Sequence, residues 1–352
     1  MRSISGHSGR GTRGMRQSIA LIGAVLLLTA ACQGAGTTPS PTGAAPVATT
    51  VPITAVPATA APQTAPPTLA PTAGVLLPGR LLFSRFSEAS HTNQGSFTAL
   101  PNGTQEAAVP LPFEEGLLRW SRSGKEITVA TQLADGRIGT AILAPDGTVL
   151  RTLEIPDPSL NLVCGPWSVD DARLACEAWD DTDASRRGIY SVRASDGGDL
   201  KRLSSAPKGS ADFPGDFSPT GQFVFLRGPE NEGGGPLFIV DAGGGEPRRL
   251  GTATFEDPGR FSPDGMLVLT SWGGTIFILD LEGKEVSSFS DDGFFLFGAV
   301  WSPDGTHIAF SRTTPGVFMA DIWTSLPDGT DRQQATRTSA NEINVDWGVG
   351  GN

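Results

Sequence analysis

The sequence of 352 residues is poor in the side chains that most enzyme active sites use. It contains three histidines, three cysteines and one tyrosine, Tyr190. The histidines and cysteines do not cluster in the sequence as zinc ligands do. No G-x-S-x-G segment is present to form the nucleophile elbow of a serine hydrolase. Tyr190 stands inside an apolar run, which disfavours a tyrosine-dependent glycosidase. The scarcity of these residues points away from catalysis.

Positive charge is also scarce. Lys and Arg number 26 against 37 Asp and Glu, and the net charge is -11. Four of the arginines, Arg2, Arg10, Arg13 and Arg16, stand in the first 31 residues, which contain no acid. Without that segment the net charge becomes -15. Because an acidic domain repels nucleic acids and anionic membrane surfaces, we expect neither as a partner.

The longest apolar run of the sequence lies near its N-terminus. Residues 18–32, "SIALIGAVLLLTAAC", follow the arginine-rich segment. This order is typical of a secretory signal, and the run is too short to span a membrane. Its ending, "TAAC", resembles a bacterial lipobox, which predicts a signal peptide over residues 1–31 and lipidation of Cys32. We therefore expect an exported protein anchored to a bacterial membrane by its lipid only, on the periplasmic or cell-surface side. The alternative is ordinary secretion with Cys32 left free.

Charge is absent from residues 33–74, which consist almost wholly of Ala, Thr, Pro, Val, Gly and Ser. Such a segment cannot bury enough apolar surface to offset the entropy lost on ordering, and its frequent prolines favour an extended chain. Residues 32–74 are therefore predicted to be the lipidated cysteine followed by a disordered Pro/Thr/Ala-rich linker. The folded domain is predicted over residues 75–352.

Helical periodicity is absent from that domain, and internal repetition replaces it. An aromatic residue followed by a Ser-Pro-Asp-Gly-like turn and an apolar run recurs at spacings of 47, 50, 44, 40 and 46 residues. In this turn proline fixes φ and glycine accepts a positive φ. The aromatic positions are Trp120, Trp167, Phe217, Phe261, Trp301 and Trp347.

Each repeat contains four short runs of β-forming residues with turn residues at fixed offsets. This pattern at a period of 40 to 50 residues predicts the four-stranded antiparallel blade of an all-β propeller. Residues 79–109 match a blade that lacks its first strand, and "INVDWG" (343–348) matches a first strand that lacks its blade. Pairing the two predicts a six-bladed β-propeller whose ring is closed by the C-terminal strand joining the N-terminal blade.

The pattern "WSPDGTHIAFSR…DIW…PDGT" resembles the repeat of TolB-like propellers. The resemblance covers roughly residues 79–349 and is clearest in the units that begin at Phe261 and Trp301. It is shared by periplasmic TolB proteins and by the propellers of prolyl-oligopeptidase-type enzymes. It therefore implies the fold and leaves the activity open.

Two cysteines, Cys164 and Cys176, flank the turn of the second complete repeat. If residues 168–171 form a tight turn, antiparallel strands place the two cysteines nearly opposite each other, within reach of a disulfide in an exported protein. The alternative is a pair of buried thiols.

The tight turns lie on one face of the ring, which we call the turn face. Asp264 and Asp304 are predicted to cap these turns. The other face, called the loop face, carries the longer loops and most of the acids, interleaved with phenylalanines. Two interpretations of this face are open: a binding surface for a basic or cationic partner, and a solvated rim on an acidic protein. The candidate binding residues are Phe113, Glu114, Glu115, Asp157, Asp212, Phe255, Glu256, Asp257, Asp291, Asp292, Phe294 and Glu342.

The loop "DDTDAS" (180–185) resembles the beginning of a calcium-binding loop, with Asp181 and Asp183 as candidate ligands. It lacks the glycine at the sixth position, which is Arg186, and the glutamate at the twelfth, which is Val192. An ordinary hairpin loop is therefore favoured, with weak calcium binding as the alternative.

These observations favour a monomeric, non-enzymatic scaffold that binds a protein or a glycan on the extracytoplasmic side, without a cofactor. The alternative is a carbohydrate-active hydrolase or lyase that uses carboxylates of the central channel, because the sequence is rich in acids whose separations it does not specify.

Overall fold

The computed structural model describes residues 77–87, 92–111, 118–230, 233–317 and 319–350. The predicted signal peptide, Cys32 and the linker lie outside the described residues. Within them the chain forms 24 β-strands and no α-helix, with a single 3-10 turn at Ala184–Arg186.

The strands form six antiparallel sheets of four strands each, which are the six predicted blades. Blade 1 contains, innermost strand first, β24 (Asn341–Gly348), β1 (Arg80–Ser87), β2 (Thr92–Ala99) and β3 (Ala107–Val109). Blade 2 contains β4 (Arg119–Trp120), β5 (Ile127–Gln132), β6 (Ile138–Leu143) and β7 (Val149–Thr152). Blade 3 contains β8 (Asn161–Trp167), β9 (Arg173–Trp179), β10 (Gly188–Arg193) and β11 (Lys201–Arg202).

The remaining three blades repeat the same order. Blade 4 contains β12 (Ser210–Phe217), β13 (Gln222–Pro229), β14 (Leu237–Asp241) and β15 (Arg248–Arg249). Blade 5 contains β16 (Arg260–Phe261), β17 (Leu267–Trp272), β18 (Thr275–Asp280) and β19 (Glu285–Phe289). Blade 6 contains β20 (Phe295–Trp301), β21 (Ile308–Thr313), β22 (Ala320–Ser325) and β23 (Gln333–Gln334).

The predicted ring closure is confirmed. Strand β24 pairs antiparallel with β1, with Trp347 opposite Leu81 and Asp346 opposite Leu82. The indole N–H of Trp347 donates a hydrogen bond to the carbonyl oxygen of Pro78 at 2.9 Å. The pairing satisfies the backbone N–H and C=O groups along the inner edge of β1, which would otherwise be unpaired.

The core consists of six clusters of buried side chains, one at each interface between neighbouring blades. Alternate residues of β1 show why a core cluster lies on each side of a blade. Leu81 and Phe83 pack toward blade 6, whereas Leu82 packs toward blade 2. Because successive side chains of a strand point to opposite faces of its sheet, a blade between two neighbours must be apolar on both faces.

The Ser-Pro-Asp-Gly turns fold as expected. In blade 5 the amide of Gly265 donates to the carbonyl oxygen of Ser262 at 2.8 Å, with φ at +75° for the glycine. The carboxylate of Asp264 accepts bonds from the Ser262 hydroxyl at 2.6 Å and from the Met266 amide at 3.0 Å. Asp304 accepts the corresponding bonds in blade 6. Both aspartates therefore cap their turns.

Replacing Asp264 with alanine should lower the free energy of unfolding by about 1 kcal/mol near neutral pH, because both hydrogen bonds are lost. The bond from Ser262, followed by that from Met266, holds the pKa of Asp264 below its ordinary value of 3.8. Its contribution is thus fully present above 3.8 and disappears as the pH falls through the lower folded-state pKa. Urea unfolding at several pH values measures this effect. A difference between wild type and variant that stays constant down to about pH 2 would contradict the assignment.

Strands β8 and β9 bring Cys164 directly opposite Cys176, and a disulfide joins them. Both cysteines lie in the core between blades 2 and 3. The bond crosses the two inner strands of blade 3 and closes a short segment with a sequence separation of 12.

Candidate functional site

The loop face consists of the segments that connect successive blades and the loops between the second and third strands of each blade. The acids predicted there fall into two groups. One group is held by arginines of the same chain, and the other remains accessible.

Asp212 and Glu342 belong to the first group. Asp212 is the third residue of innermost strand β12, Glu342 is the second residue of innermost strand β24, and both are fully buried. Asp212 accepts two hydrogen bonds from Arg227, at 2.6 and 2.8 Å, and Glu342 accepts two from Arg85, at 2.8 and 2.7 Å. Phe255 is also buried, in the core between blades 4 and 5. These three residues are therefore part of the interior and not of a binding surface.

Asp157 and Asp291 are partly accessible but also paired. Asp157 contacts Arg186, and hydrogen bonds from Ser159, followed by the one from Arg186, lower its pKa. Asp291 accepts a bond from Arg312 at 2.6 Å. The guanidinium of Arg312 lies 3.2 Å from the centre of the Phe294 ring. Asp157, Asp291 and Phe294 thus position the connecting segments.

A second group of residues surrounds the loop-face end of blades 5 and 6. We call this group the blade 5–6 patch, and it consists of Glu256, Asp257, Trp272, Phe295 and Phe297. The Trp272 side chain is 44% exposed. The other four side chains are half-buried, and the rings of Phe295 and Phe297 lie 6.2 Å apart. Beside it, Asp292 is exposed in the turn that leads into β20, whereas Phe113, Glu114 and Glu115 lie outside the described residues.

Hydrogen bonds fix the position of the two acids of the patch. Asp257 accepts bonds from the Ser271 hydroxyl at 2.6 Å and from the Gly298 amide at 2.9 Å, so it links blade 5 to blade 6. The amide of Glu256 donates to the Ser271 carbonyl oxygen at 2.8 Å. Burial raises the pKa of Asp257. Burial, and then the charge of Asp257, raise the pKa of Glu256. Asp257 already lies near the positive charges of Arg260 and Arg119, whereas the Glu256 carboxylate would be stabilised by an external cation.

A short hairpin explains why this part of the face is open. Strands β17 and β18 are joined by Gly273 and Gly274 alone, with φ of +59° and +81°. This is the shortest second-to-third loop in the part of the chain that the structure describes. A Cβ atom on Gly274 would lie 2.9 Å from the Phe295 ring, so the hairpin and the ring are in close contact. Among the described second-to-third loops, the one of blade 5 therefore covers the least of this face.

The sequence analysis missed Trp272. Register pairing shows that Trp272 occupies the position of Arg312 in blade 6 and of Arg227 in blade 4. Arg312 and Arg227 each pair with an acid of the loop face. Trp272 carries no charge, forms no such pair and remains exposed. An aromatic residue in place of arginine, immediately before two glycines, was the signal that could have revealed it.

The "DDTDAS" loop forms an ordinary turn. The carboxylate of Asp183 accepts bonds from the Ser185 amide at 3.0 Å and hydroxyl at 2.7 Å, at the start of the 3-10 turn. Asp181 accepts a long bond from Asn161 at 3.4 Å. Among the described residues, no group of three or more His, Cys, Asp or Glu side chains is arranged to hold a metal ion.

Comparisons with known proteins bear on the fold. No family model and no curated protein matches the chain. TolB from Acinetobacter baumannii matches with a TM-score of 0.56 and 18% identity over 76% of this chain and 66% of that chain. A putative TolB from Agrobacterium tumefaciens matches with a TM-score of 0.51 and 16% identity, over 76% and 98% of the two chains. An oligogalacturonate lyase in complex with manganese matches with a TM-score of 0.46 and 14% identity, over 74% of each chain.

The two TolB matches, together with the six blades, confirm that the chain folds as a TolB-like propeller. It spans about two thirds of the length of the A. baumannii structure. At these identities the likeness concerns the fold and not the function. Within the described ranges no helix is long and apolar enough to cross a membrane.

Proposed function

We propose that the protein is an exported binding module that captures a partner protein through the blade 5–6 patch, without chemically changing it. The observation that carries the proposal is Trp272, which is 44% exposed at the loop-face end of β17 and directly follows Ser271, whose hydroxyl donates to Asp257 and whose carbonyl oxygen accepts from the Glu256 amide. Tryptophan is the residue most enriched at the energetic centre of protein interfaces. The partner best suited to this patch presents a Lys or Arg next to an apolar side chain.

The other loop-face acids support this choice by their pairing. Asp157, Asp212, Asp291 and Glu342 are each held by an arginine of the chain. Among the described candidate acids of the loop face, Glu256, Asp257 and Asp292 are therefore the ones that form no ion pair with an arginine. Export is supported by the disulfide between Cys164 and Cys176, a bond typical of oxidising compartments. Anchoring through a lipid on Cys32 belongs to the same proposal.

The raised pKa of Asp257 and Glu256 also suits a general acid, as a carbohydrate-active hydrolase or lyase would need. This second candidate differs from the binding module because it requires turnover of a glycan. A glycan screen that includes acidic and neutral oligosaccharides distinguishes the two, since product formation supports the enzyme and contradicts the binding module.

The binding proposal is tested with the full chain immobilised and incubated with envelope extract of the source cells. Trp272→Ala should reduce the amount of specifically retained protein by about tenfold or more. Glu256→Gln should reduce it less and should weaken its dependence on salt, because one charge contact is lost. Quantitative mass spectrometry of the retained proteins measures both effects.

The control is Met266→Ala, which removes an apolar side chain that is 58% exposed on the opposite face of the ring. This variant should retain the partner as wild type does. Equal losses in the Trp272 and Met266 variants, or no loss in either, would show that the patch is not the binding site.

A further inference from the structure

The innermost strands carry charged residues at the turn-face end of the central channel. The residue that precedes the aromatic position of each repeat lines this end of the channel. From blade 1 to blade 6 these residues are Asp346, Arg119, Pro166, Asp216, Arg260 and Val300. The two arginines belong to blades 2 and 5 and the two aspartates to blades 1 and 4. Each pair therefore stands on opposite sides of the six-bladed ring.

The space between them is a cavity of about 190 Å³, which opens toward the turn face. Its rim is formed by the first residues of the turns, among them Ser121, Ser262 and Ser302. A cavity of about 150 Å³ holds a molecule the size of benzene. The channel therefore has room for one small organic molecule or ion.

Both aspartates already have partners. Asp216 forms an ion pair with Arg122, which reaches across the mouth of the channel from the turn of blade 2. Arg122 also donates to the carbonyl oxygen of Phe217 at 3.0 Å. Asp346 accepts a hydrogen bond from the amide of Trp120 at 2.8 Å. The carboxylates are thus engaged by groups other than Arg119 and Arg260.

The two arginines lack such partners. Arg119 donates only to its neighbouring carbonyl oxygen, that of Leu118, at 3.2 Å, and Arg260 only to that of Gly215, at 3.0 Å. Neither forms an ion pair with any acid in the described ranges. A guanidinium has five N–H donors, so most donors of both groups have no partner in the protein. Burial, and then the nearby charge of Arg260, lower the pKa of Arg119 to about 9.

We propose that Arg119 and Arg260 form an oxyanion site on the propeller axis that binds a small carboxylate or phosphate between two opposed guanidinium groups. The planar fork of a guanidinium matches the paired oxygens of these anions. The charge of the channel is balanced, because Asp216, Asp346 and the nearby Asp257 are matched by three arginines, Arg119, Arg122 and Arg260. The proposal therefore depends on the unmatched donors and the mutual repulsion of the two arginines, and not on net charge. It goes beyond the proposed function and does not depend on it.

The test is isothermal titration calorimetry of the full chain with succinate, citrate and inorganic phosphate at constant ionic strength, with chloride as the reference salt. At least one of the three anions should bind with a 1:1 stoichiometry. Binding by succinate or citrate but not phosphate identifies a carboxylate site, and the reverse identifies a phosphate site. Arg119→Met and Arg260→Met should each weaken binding by about tenfold or more.

The matched control is Arg248→Met, which removes one positive charge from an exposed outer strand where the side chain donates to the Leu281 carbonyl oxygen. Its affinity should equal that of wild type. Thermal unfolding of the Arg119 and Arg260 variants should show a melting temperature close to that of wild type, because neither side chain forms an ion pair in the folded protein. If Arg119→Met does not fold, Arg260→Met and Arg119→Lys carry the test. Absence of binding by all three anions in wild type, or equal weakening in the Arg248 variant, would overturn the proposal.

Discussion

Replacing Trp347 with alanine should lower the free energy of unfolding by about 3–5 kcal/mol, the range for removing a large aromatic side chain from a core. Trp347 is 6% exposed and packs with Leu81 and Phe83 in the cluster between blades 6 and 1. Its loss creates a cavity and also removes the hydrogen bond to Pro78 at 2.9 Å. Because β24 is the strand that closes the ring, we expect the whole propeller to unfold at lower denaturant concentration rather than blade 1 alone.

Urea unfolding followed by far-ultraviolet circular dichroism measures this effect. The control is Trp272→Ala, which removes the same side chain from an exposed position and should change stability by about 0.5 kcal/mol or less. A Trp347 variant that is as stable as the Trp272 variant would contradict the closure of the ring by β24.

Replacing Arg85 with methionine should cost about 3–5 kcal/mol, the penalty for leaving one member of a buried ion pair without the other. Arg85 donates to Glu342 at 2.8 and 2.7 Å and also pairs with Glu106 at 2.9 Å. Its guanidinium lies 4.2 Å from the centre of the Phe97 ring. Glu342 is fully buried, and its second carboxylate oxygen has no hydrogen-bond partner. Without Arg85 the Glu342 carboxylate would be buried with no opposite charge.

A double-mutant cycle separates the pair from its packing. Removing both charges in Arg85→Met/Glu342→Met should recover most of the lost stability, because no uncompensated charge stays in the interior. The control is Arg193→Met, which breaks an ion pair with Asp196 whose side chains are both 53% exposed, and which should change stability far less than Arg85→Met does. Additive losses in the double variant would show that Arg85 and Glu342 contribute independently.

The sequence was sufficient to predict the architecture because each blade carries its own local signals. An aromatic residue near the end of the innermost strand recurs in all six blades, and in four of them it leads into a turn with glycine at positive φ. The split blade could be completed by matching residues 343–348 to those near Gly79. Each of these signals lies within a short segment, and its repetition along the chain makes it recognisable in the sequence.

The candidate site was only partly predictable because it depends on contacts between distant segments. Arg85 and Glu342 are 257 residues apart, so no local pattern shows that this acid is buried and paired. Asp212 was likewise assigned to a connecting loop, although it lies on an innermost strand. Arg119 and Arg260 stand three blades apart, and their convergence on the axis follows only from the closed ring. Trp272 is exposed because its hairpin is short. That the hairpin is shorter than the corresponding loops of other blades is seen only when the blades are compared in the folded structure.

The most direct test of the binding module is photo-crosslinking in intact source cells. The photoreactive amino acid p-benzoylphenylalanine is placed at position 272 in one variant of the full chain and at position 266 in another. Position 272 lies in the blade 5–6 patch, and position 266 is the exposed control on the turn face. We predict a discrete covalent adduct with one cellular protein from position 272 and none from position 266. An adduct from position 266 alone, or the same adducts from both positions, would contradict a binding site on blades 5 and 6.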